Sequence, residues 1–276
     1  MTVDSITSRS NSTLLRAASL KEKKYRDRYG LFMAEGIKLT LEAISAGMIP
    51  ETIFLMEGKG EQYLPMLSAA LENTDTRIFV VSEPCFEKIS TEKAPEGVIS
   101  LIKHLDFYEK CIKIDGRNIS SACAGRAVLL QDVRDPGNLG AILRSAAAFG
   151  CEQVLLSGHC VDLYHPRVLR SAMGALFRLR FAYLDAVSLL ADALHAEGRR
   201  LLAAELREQA RSLADVGARK GDVFVIGNEG HGIPEEVSAL CDESVYIPIA
   251  EGTESLNAAV AASVLLYEQS RRGDTV

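Results

Sequence analysis

From Leu31 onward the apolar positions come in short blocks whose period keeps changing. Leu31 to Ala34 is a continuous apolar run, the pattern of a strand covered on both faces. Ile37, Leu41 and Ile44 then fall at helical spacing, and the run stops at Gly47, a residue suited to closing a helix. The exchange repeats: a strand over Glu51 to Met56, a helix over Glu61 to Glu72, a strand over Arg77 to Val81 and a helix after Pro84, all preceded by a basic helix near Ser10 to Lys24. These pieces predict a small α/β domain. Between Lys103 and Gly125 the pattern dissolves into mixed, turn-rich sequence, and the boundary belongs there: a first domain over 1–104, a linker over 105–125 and a second domain over 126–276.

The second domain alternates more regularly. Strands are expected in AVLLQ from Ala127, QVLLS from Gln153, RRLLAAE from Arg199, DVFVIGN from Asp222 and SVYIPI from Ser244, with helices between them and a final helix from Ser255 to about Gln269. Strands alternating with helices imply a mostly parallel sheet with both faces covered, whose ligands sit beyond the carboxyl ends of the strands. The glycine-rich loops of the chain fall at those ends.

Composition adds limits. The chain has 276 residues, 47% hydrophobic and 25% charged, enough for two cores. It has no apolar run of membrane-spanning length, and its N-terminus is too polar for a secretory segment, so a cytoplasmic location is expected. Six cysteines (Cys85, Cys111, Cys123, Cys151, Cys160 and Cys241) lack C-x-x-C spacing and read as reduced structural thiols; His159 beside Cys160 reads as structural rather than as a metal site. The net charge of −6 argues against a non-specific nucleic-acid coat. Residues 1–30, however, carry seven Lys/Arg against three acids, and Pro166 to Arg180 carries Arg167, Arg170, Arg178 and Arg180 with no acid. On charge alone both stretches read first as solvated helix faces, with RNA contact as the alternative.

Three loops could carry chemistry. In the first, Asp135 to Asn138 makes a turn with Asn138 as expected N-cap. Leu139, Ile142, Leu143, Ala146 and Phe149 then form one stripe facing the sheet, and Gly150 closes the helix. Arg144 lies nearly opposite, among Gly140, Ala141, Ser145 and Ala148; small neighbours suggest a contact surface, and plain solvent exposure is the alternative. The second loop runs from a strand into Gly227, Asn228, Glu229, Gly230, His231 and Gly232, with Glu235 and Glu236 behind Pro234. It lacks the P-loop and dinucleotide fingerprints, and acids at a helix start repel phosphate, so an uncharged or cationic ligand fits better; His231 reads as incidental. The third, Tyr246 to Glu268, is a strand, turn and helix with Ser255 or Glu254 as cap and Asn257 in the first turn.

Taken together and in order, DPGNLGAILRSAAAFG, GNEGHG and IPIAEGTESLNAAVA resemble the three motifs of the SpoU/TrmH branch of the SPOUT RNA methyltransferases. The stretch from Ile6 to Gly47 resembles the RNA substrate-binding domain that precedes the catalytic domain in the rRNA ribose methyltransferases of that branch. The resemblance implies an α/β fold: a C-terminal domain with a trefoil knot and a mostly parallel sheet, preceded by a small α/β RNA-binding domain of ribosomal-protein type. It also implies S-adenosylmethionine as cofactor, with contacts at Ala204, Glu205, Gly227, Ile247 and Leu256, and catalytic or substrate-site roles for Asn138, Arg144, Glu229, Ser255 and Asn257. No metal, membrane or DNA is implied. The partners implied are a second copy of the chain, with the opening helix near the interface, and RNA methylated at a ribose 2′-hydroxyl. For that RNA, 23S rRNA is the first reading, with tRNA, or a non-catalytic RNA-binding protein, as alternatives.

The sequence departs from the family at Ile249, where Met is usual, at Glu251, where Gly is usual, and at Ala172, where many relatives carry Ser. The family assigns removal of the hydroxyl proton to the arginine of the first motif, here Arg144. A guanidinium with a pKa above about 12 is better suited to clamp a phosphate or a developing alkoxide than to act as a base.

Overall fold

The computed structural model describes residues 2–114, 118–119, 125–250, 252–253 and 255–271. Cys123, Glu251 and Glu254, which the sequence singled out, lie outside the described residues. In chain order the elements up to residue 108 are β1 (Thr2–Ile6), α1 (Ser12–Ser19), α2 (Lys23–Tyr29), β2 (Leu31–Glu35), α3 (Ile37–Ser45), β3 (Thr52–Met56), α4 (Leu64–Ala70), β4 (Arg77–Val81), α5 (Glu83–Ile89) and β5 (Val98–Lys103), followed by a 3-10 turn over Leu105–Tyr108. Next come β6 (Cys111–Ile114), β7 (Ala127–Gln131), α6 (Pro136–Ala148), β8 (Gln153–Ser157), α7 (Pro166–Ala172), β9 (Arg180–Leu184), α8 (Val187–Ala196) and β10 (Leu201–Ala204). The last are β11 (Arg211–Ser212), α9 (Leu213–Val216), β12 (Val223–Ile226), α10 (Glu235–Ser238), β13 (Glu243–Tyr246) and α11 (Ala258–Arg271).

These elements form two compact units. The first joins Met1–Tyr108 to Asp162–Phe177, and the second joins Glu109–Val161 to Arg178–Val276. The chain therefore divides differently from the single cut at 105–125 expected from its sequence.

The first unit holds a five-stranded sheet of order β1-β4-β3-β5-β2, in which β1, β4 and β3 are parallel and β5 runs antiparallel to β3 and β2. Both faces are covered. Phe54, Phe79 and Ile99 pack with Leu14, Leu20 and Phe86 on one side, and Ile53, Leu55 and Ile78 pack with Ile37, Leu67 and Leu71 on the other. That is why β3 reads as an unbroken apolar block rather than an alternating one.

The basic helix expected over Ser10 to Lys24 is two helices. Asn11 caps α1, accepting from the amides of Thr13 and Leu14, and α2 ends at Gly30 in the left-handed region. The turn between them is held by Arg26, which donates to the carbonyls of Leu20 (2.8 Å) and Lys21 (2.9 Å). The same guanidinium reaches Asp162 at 2.6 Å, with the two side chains only 3% and 10% exposed. Tyr164 stacks on His104 (4.0 Å between ring centres) and on Phe32 (4.9 Å), and its hydroxyl accepts from the Leu105 amide at 2.8 Å. These contacts bind Asp162–Phe177 into the first unit. Arg26, read from sequence as one cation of a surface patch, is a buried structural pin.

The second unit is an eight-stranded sheet of order β11-β13-β10-β12-β7-β8-β9-β6, parallel throughout. The stretch expected to be linker supplies β6, which pairs with β9 at the sheet edge. Strands β7 and β12 are neighbours, so the loops leaving their carboxyl ends, after Gln131 and after Ile226, start side by side. Among the described residues no helix is long and apolar enough to cross a membrane.

Candidate active site

The first loop folds differently from its sequence reading at one position. Pro136 occupies the first turn of α6 and the Asp135 carboxylate accepts from the Asn138 amide at 2.8 Å, so Asp135, not Asn138, is the cap. This releases the Asn138 side chain. Its Nδ2 donates to Glu229 Oε1 at 3.0 Å and its Oδ1 accepts from Asn257 Nδ2 at 2.9 Å. Glu229 also accepts from the backbone amides of Asp135 (3.3 Å) and Arg134 (3.4 Å). Asn257 in turn caps α11, its Oδ1 accepting from the Ala259 amide at 2.9 Å; the cap expected at Ser255 or Glu254 is two or three residues further along. Three side chains that are far apart in sequence thus tie the three loops together, each oriented by the next and the last loaded with donors.

The second loop is rigid for reasons internal to itself. A Cβ on Gly227 would stand 2.5 Å from the Gly232 carbonyl carbon and 2.7 Å from the Ile233 nitrogen. The residue is therefore glycine because its own loop packs against it. Asn228 and Gly232 exchange both backbone hydrogen bonds at 2.9 Å. The Asn228 Oδ1 accepts from the amides of Gly230 and His231, and its Nδ2 donates to the Asp132 carbonyl at 2.8 Å. This is an Asx turn fixed to the neighbouring loop.

Asp132 sits at φ 55 and accepts from the His159 amide at 2.8 Å. Burial pushes its pKa up, but the His159 amide, the Gln131 side chain and Arg134 outweigh that and hold it below the ordinary carboxylate value. His231 is tethered to Asn228 through its ring. Cys160 points its thiol at the carbonyls of Leu130 and Ser157, and burial raises its pKa to about 11, which makes it a packed thiol rather than a thiolate ligand.

Beside this network lies a cleft of about 490 Å³ whose wall includes Ala204, Glu205, Ile247, Ile249, Ser255, Leu256 and Leu265. Four of the five residues expected at a cofactor lie on it; Gly227 does not. Leu256 on the cleft wall is the chain neighbour of Asn257 in the network. The Glu205 carboxylate is engaged by Ser238 (2.5 Å), Ser244 (2.7 Å) and Arg207 (2.9 Å), so this residue offers the cleft little free charge. Ser255 stands on the cleft wall, outside the Asn138–Glu229–Asn257 network.

Arg144 is exposed and, among the described residues, makes no ion pair and no hydrogen bond to that network. It follows Asn138 by six residues, about 9 Å along the helix. The small-residue face around it is used in part by α11 of the same chain, where Ser145 Oγ meets Ser263 Oγ at 2.6 Å; Phe149, expected on the sheet-facing stripe, is half-buried just past the end of α6 and packs edge-on against Tyr267 of α11. Arg144 and Ala148 stay exposed, as do Val260 (49%) and Tyr267 (48%) on α11.

Sequence reasoning passed over Asp135, Asp132 and Asn228. The Asp-Pro pair at a helix start and the Gly-Asn-x-Gly turn were the signals available for the first and last.

The SpoU rRNA Methylase family matches residues 125–267, and the MRM3-like substrate binding domain matches residues 11–100. An uncharacterized tRNA/rRNA methyltransferase of Synechocystis sp. is 30% identical over 280 residues, spanning 98% of this chain and 94% of the relative. The 23S rRNA (guanosine(2553)-2′-O)-methyltransferase RlmP of Bacillus subtilis is 30% identical over 249 residues, 90% of this chain and 92% of that one. The crystal structure of an AdoMet-bound rRNA methyltransferase from Sinorhizobium meliloti is similar at a TM-score of 0.83 and 27% identity, covering 98% of each chain. The matched region contains all three loops and the strands that bring them together, and the chain belongs to the SpoU rRNA methylase family.

Proposed function

We propose that the protein transfers the methyl group of S-adenosylmethionine to a ribose 2′-hydroxyl of 23S rRNA, acting in the cytoplasm as a homodimer. The observation that carries this reading is the Asn138–Glu229–Asn257 network abutting an apolar cleft at the carboxyl ends of parallel strands. S-adenosylmethionine supplies an electrophilic methyl on a cationic sulfonium when bound. The cleft suits such a ligand: its volume is in the range of small-molecule sites, its wall is mainly aliphatic, and no Lys or Arg lines it among the described residues. Ala204, Ile247 and Leu256, with backbone at Glu205, are the residues to hold it.

Methyl transfer to an alcohol needs the accepting oxygen held in line, so positioning provides most of the catalysis. Asn138 and Asn257 present amides of fixed orientation, and Glu229 anchors them. Ser255, on the cleft wall, is assigned to the substrate side. Arg144 is assigned to the ribose phosphate and to the alkoxide that develops as the proton leaves. It reaches a site when a second copy covers the face formed by Arg144, Ala148, Val260 and Tyr267, whose apolar exposure supports a partner there. The reading includes the family's C-terminal trefoil knot.

Ribose-methylation mapping of rRNA and tRNA from cells with and without the protein tests the assignment. The expected result is loss of a single 2′-O-methyl group in 23S rRNA, restored in vitro by purified protein and labelled S-adenosylmethionine. An unchanged rRNA map would defeat the rRNA reading, and a lost tRNA methyl would redirect it to tRNA.

A further inference from the structure

The first unit carries, away from any cleft used above, one surface on which cations and aromatic rings alternate. Tyr25 and Tyr29 stack one helical turn apart on α2, with ring centres 6.3 Å apart. Arg16 (5.1 Å) and Arg28 (5.7 Å) both lie against the Tyr29 ring, and Lys24 lies over Tyr25 at 4.8 Å. The surface continues without a break. Arg16 pairs with Glu51 at 2.9 Å, and Glu51 helps line an open, mostly apolar hollow of about 380 Å³ with Ile49, Lys103, Phe107 and Tyr108. There Lys103 lies over Phe107 at 3.6 Å, and the Tyr108 hydroxyl donates to the Ile49 carbonyl at 3.2 Å. The His104 amide donates to the Gly30 carbonyl at 2.9 Å, which sets the end of α2 beside the 103–108 turn.

Two features decide what this surface fits. Phe107 is 60% exposed and Tyr29 36%, an arrangement with no role in the core. The carboxylates Glu51, Glu22 and Asp27 are paired with Arg16, Lys24 and Lys23, while Arg28 and Lys103, and the one further carboxylate on the hollow's wall, Asp75, have no ion pair among the described residues. Free cations beside exposed ring faces match a nucleic-acid strand whose phosphates and base faces are both accessible. A duplex hides its base faces, so exposed rings gain nothing from it, whereas unpaired bases stack on aromatic side chains and on guanidinium planes.

We propose that this face docks unpaired nucleotides of the RNA substrate, with Tyr29 and Phe107 as stacking platforms and Arg28 and Lys103 meeting phosphates. The proposal rests on the reading of the protein as an rRNA methyltransferase and adds to it the form of RNA that the first unit holds.

The test uses the full-length protein, a labelled 12-nucleotide single-stranded RNA and the duplex of the same sequence, with affinities read by fluorescence anisotropy. Wild type should prefer the single strand. Tyr29→Ala and Phe107→Ala should each weaken single-strand binding about 5- to 50-fold, change duplex binding less than about twofold, and leave thermal melting unaltered. Phe107→Trp should retain binding. The Arg28→Ala/Lys103→Ala double variant should reduce the slope of log affinity against log salt by about 1.4. With rRNA as substrate, the alanine variants should raise KM with kcat and S-adenosylmethionine affinity unchanged. Equal single-strand affinity in wild type and the ring variants, or a wild-type preference for duplex, overturns the proposal. A wild type that loses single-strand binding with these residues yet methylates no rRNA supports the docking face and defeats the methyltransferase reading instead.

Discussion

The two units each bury an ion pair, Arg200 with Asp222 at 2.7 Å in the second, but differ in where their other polar and aromatic side chains go. The first buries an ion pair, Arg26 with Asp162, and leaves aromatic rings outside. The second builds an aliphatic core from Leu129, Leu155, Val223, Val225 and their neighbours, and gathers its polar side chains at the ends of strands, where Asn138, Glu229 and Asn257 orient one another. The contrast shows that charge in a sequence has no fixed meaning: Arg26 and Arg28 are two residues apart in one basic run, yet one pins the fold and the other lies beside an exposed ring.

The sharpest way to break this comparison is at the second unit. Arg144→Ala should lower kcat by about a thousandfold or more, as expected for loss of a group that stabilises developing charge. S-adenosylmethionine binding by calorimetry and the melting curve should stay near wild type, because the residue is exposed and has no ion pair among the described residues. Near-normal turnover would move the chemistry away from α6.

Next is the buried pin of the first unit. Arg26→Ala strands Asp162 without its partner and leaves the carbonyls of Leu20 and Lys21 short of a donor, so urea unfolding should show a loss of about 3–5 kcal/mol. Arg28→Ala should stay within about 0.5 kcal/mol. Equal effects for the two variants would erase the distinction drawn between them.

A smaller effect is expected at Glu229→Gln. The carboxylate accepts from Asn138 and from two backbone amides, and a glutamine would set its own donors against some of these. A cost of about 1–3 kcal/mol in transition-state stabilisation follows, read as a fall of about 5- to 150-fold in kcat/KM without loss of the first unit's stability.

The smallest concerns His104. Burial lowers its pKa below the ordinary imidazole value, against the pull of Asp106, Asp162 and Asp27, and its Nε2 is buried without a partner. The folded state therefore disfavours the charged ring. Stability should be full above about pH 6.5 and decline as pH falls through the window between that value and the lower folded pKa. Urea midpoints at pH 7.5 and 5 should show the decline in wild type and a flatter profile in His104→Phe.

Much of the fold was legible because covered parallel strands such as Ala127–Gln131 and Val223–Ile226 are short apolar blocks between turn signals. Strands lacking that signature were not. Residues 2–6 hold only two apolar positions, Val3 and Ile6, three apart and out of step with a strand's period of two, and Cys111–Ile114 is four residues long in turn-rich sequence, acquiring its strand character only by pairing with β9. The helix caps slipped by two or three residues because each turn offers two side chains capable of capping, and Pro136 decides between Asp135 and Asn138 by its place in the first turn. The three loops could be found in the sequence. Their joining could not, since Asn138 and Glu229 meet only because β7 and β12 are neighbours, and strand order leaves no mark on periodicity. The cation of the first unit that matters most for stability was hidden for a related reason: its partner lies 136 residues away.

The capture of Asp162–Phe177 by the first unit bears on how the chain is made. Domains commonly fold as they leave the ribosome, the N-terminal one first. Here the opening unit cannot close around Phe32 and Arg26 until Asp162–Phe177 has left the ribosome, and by then β6, β7 and β8 of the second unit, which precede that segment in the chain, have left it too. The two units must therefore nucleate in overlapping windows of translation, and a nascent chain stalled before Asp162 would hold an unmatched guanidinium and an uncovered aromatic ring.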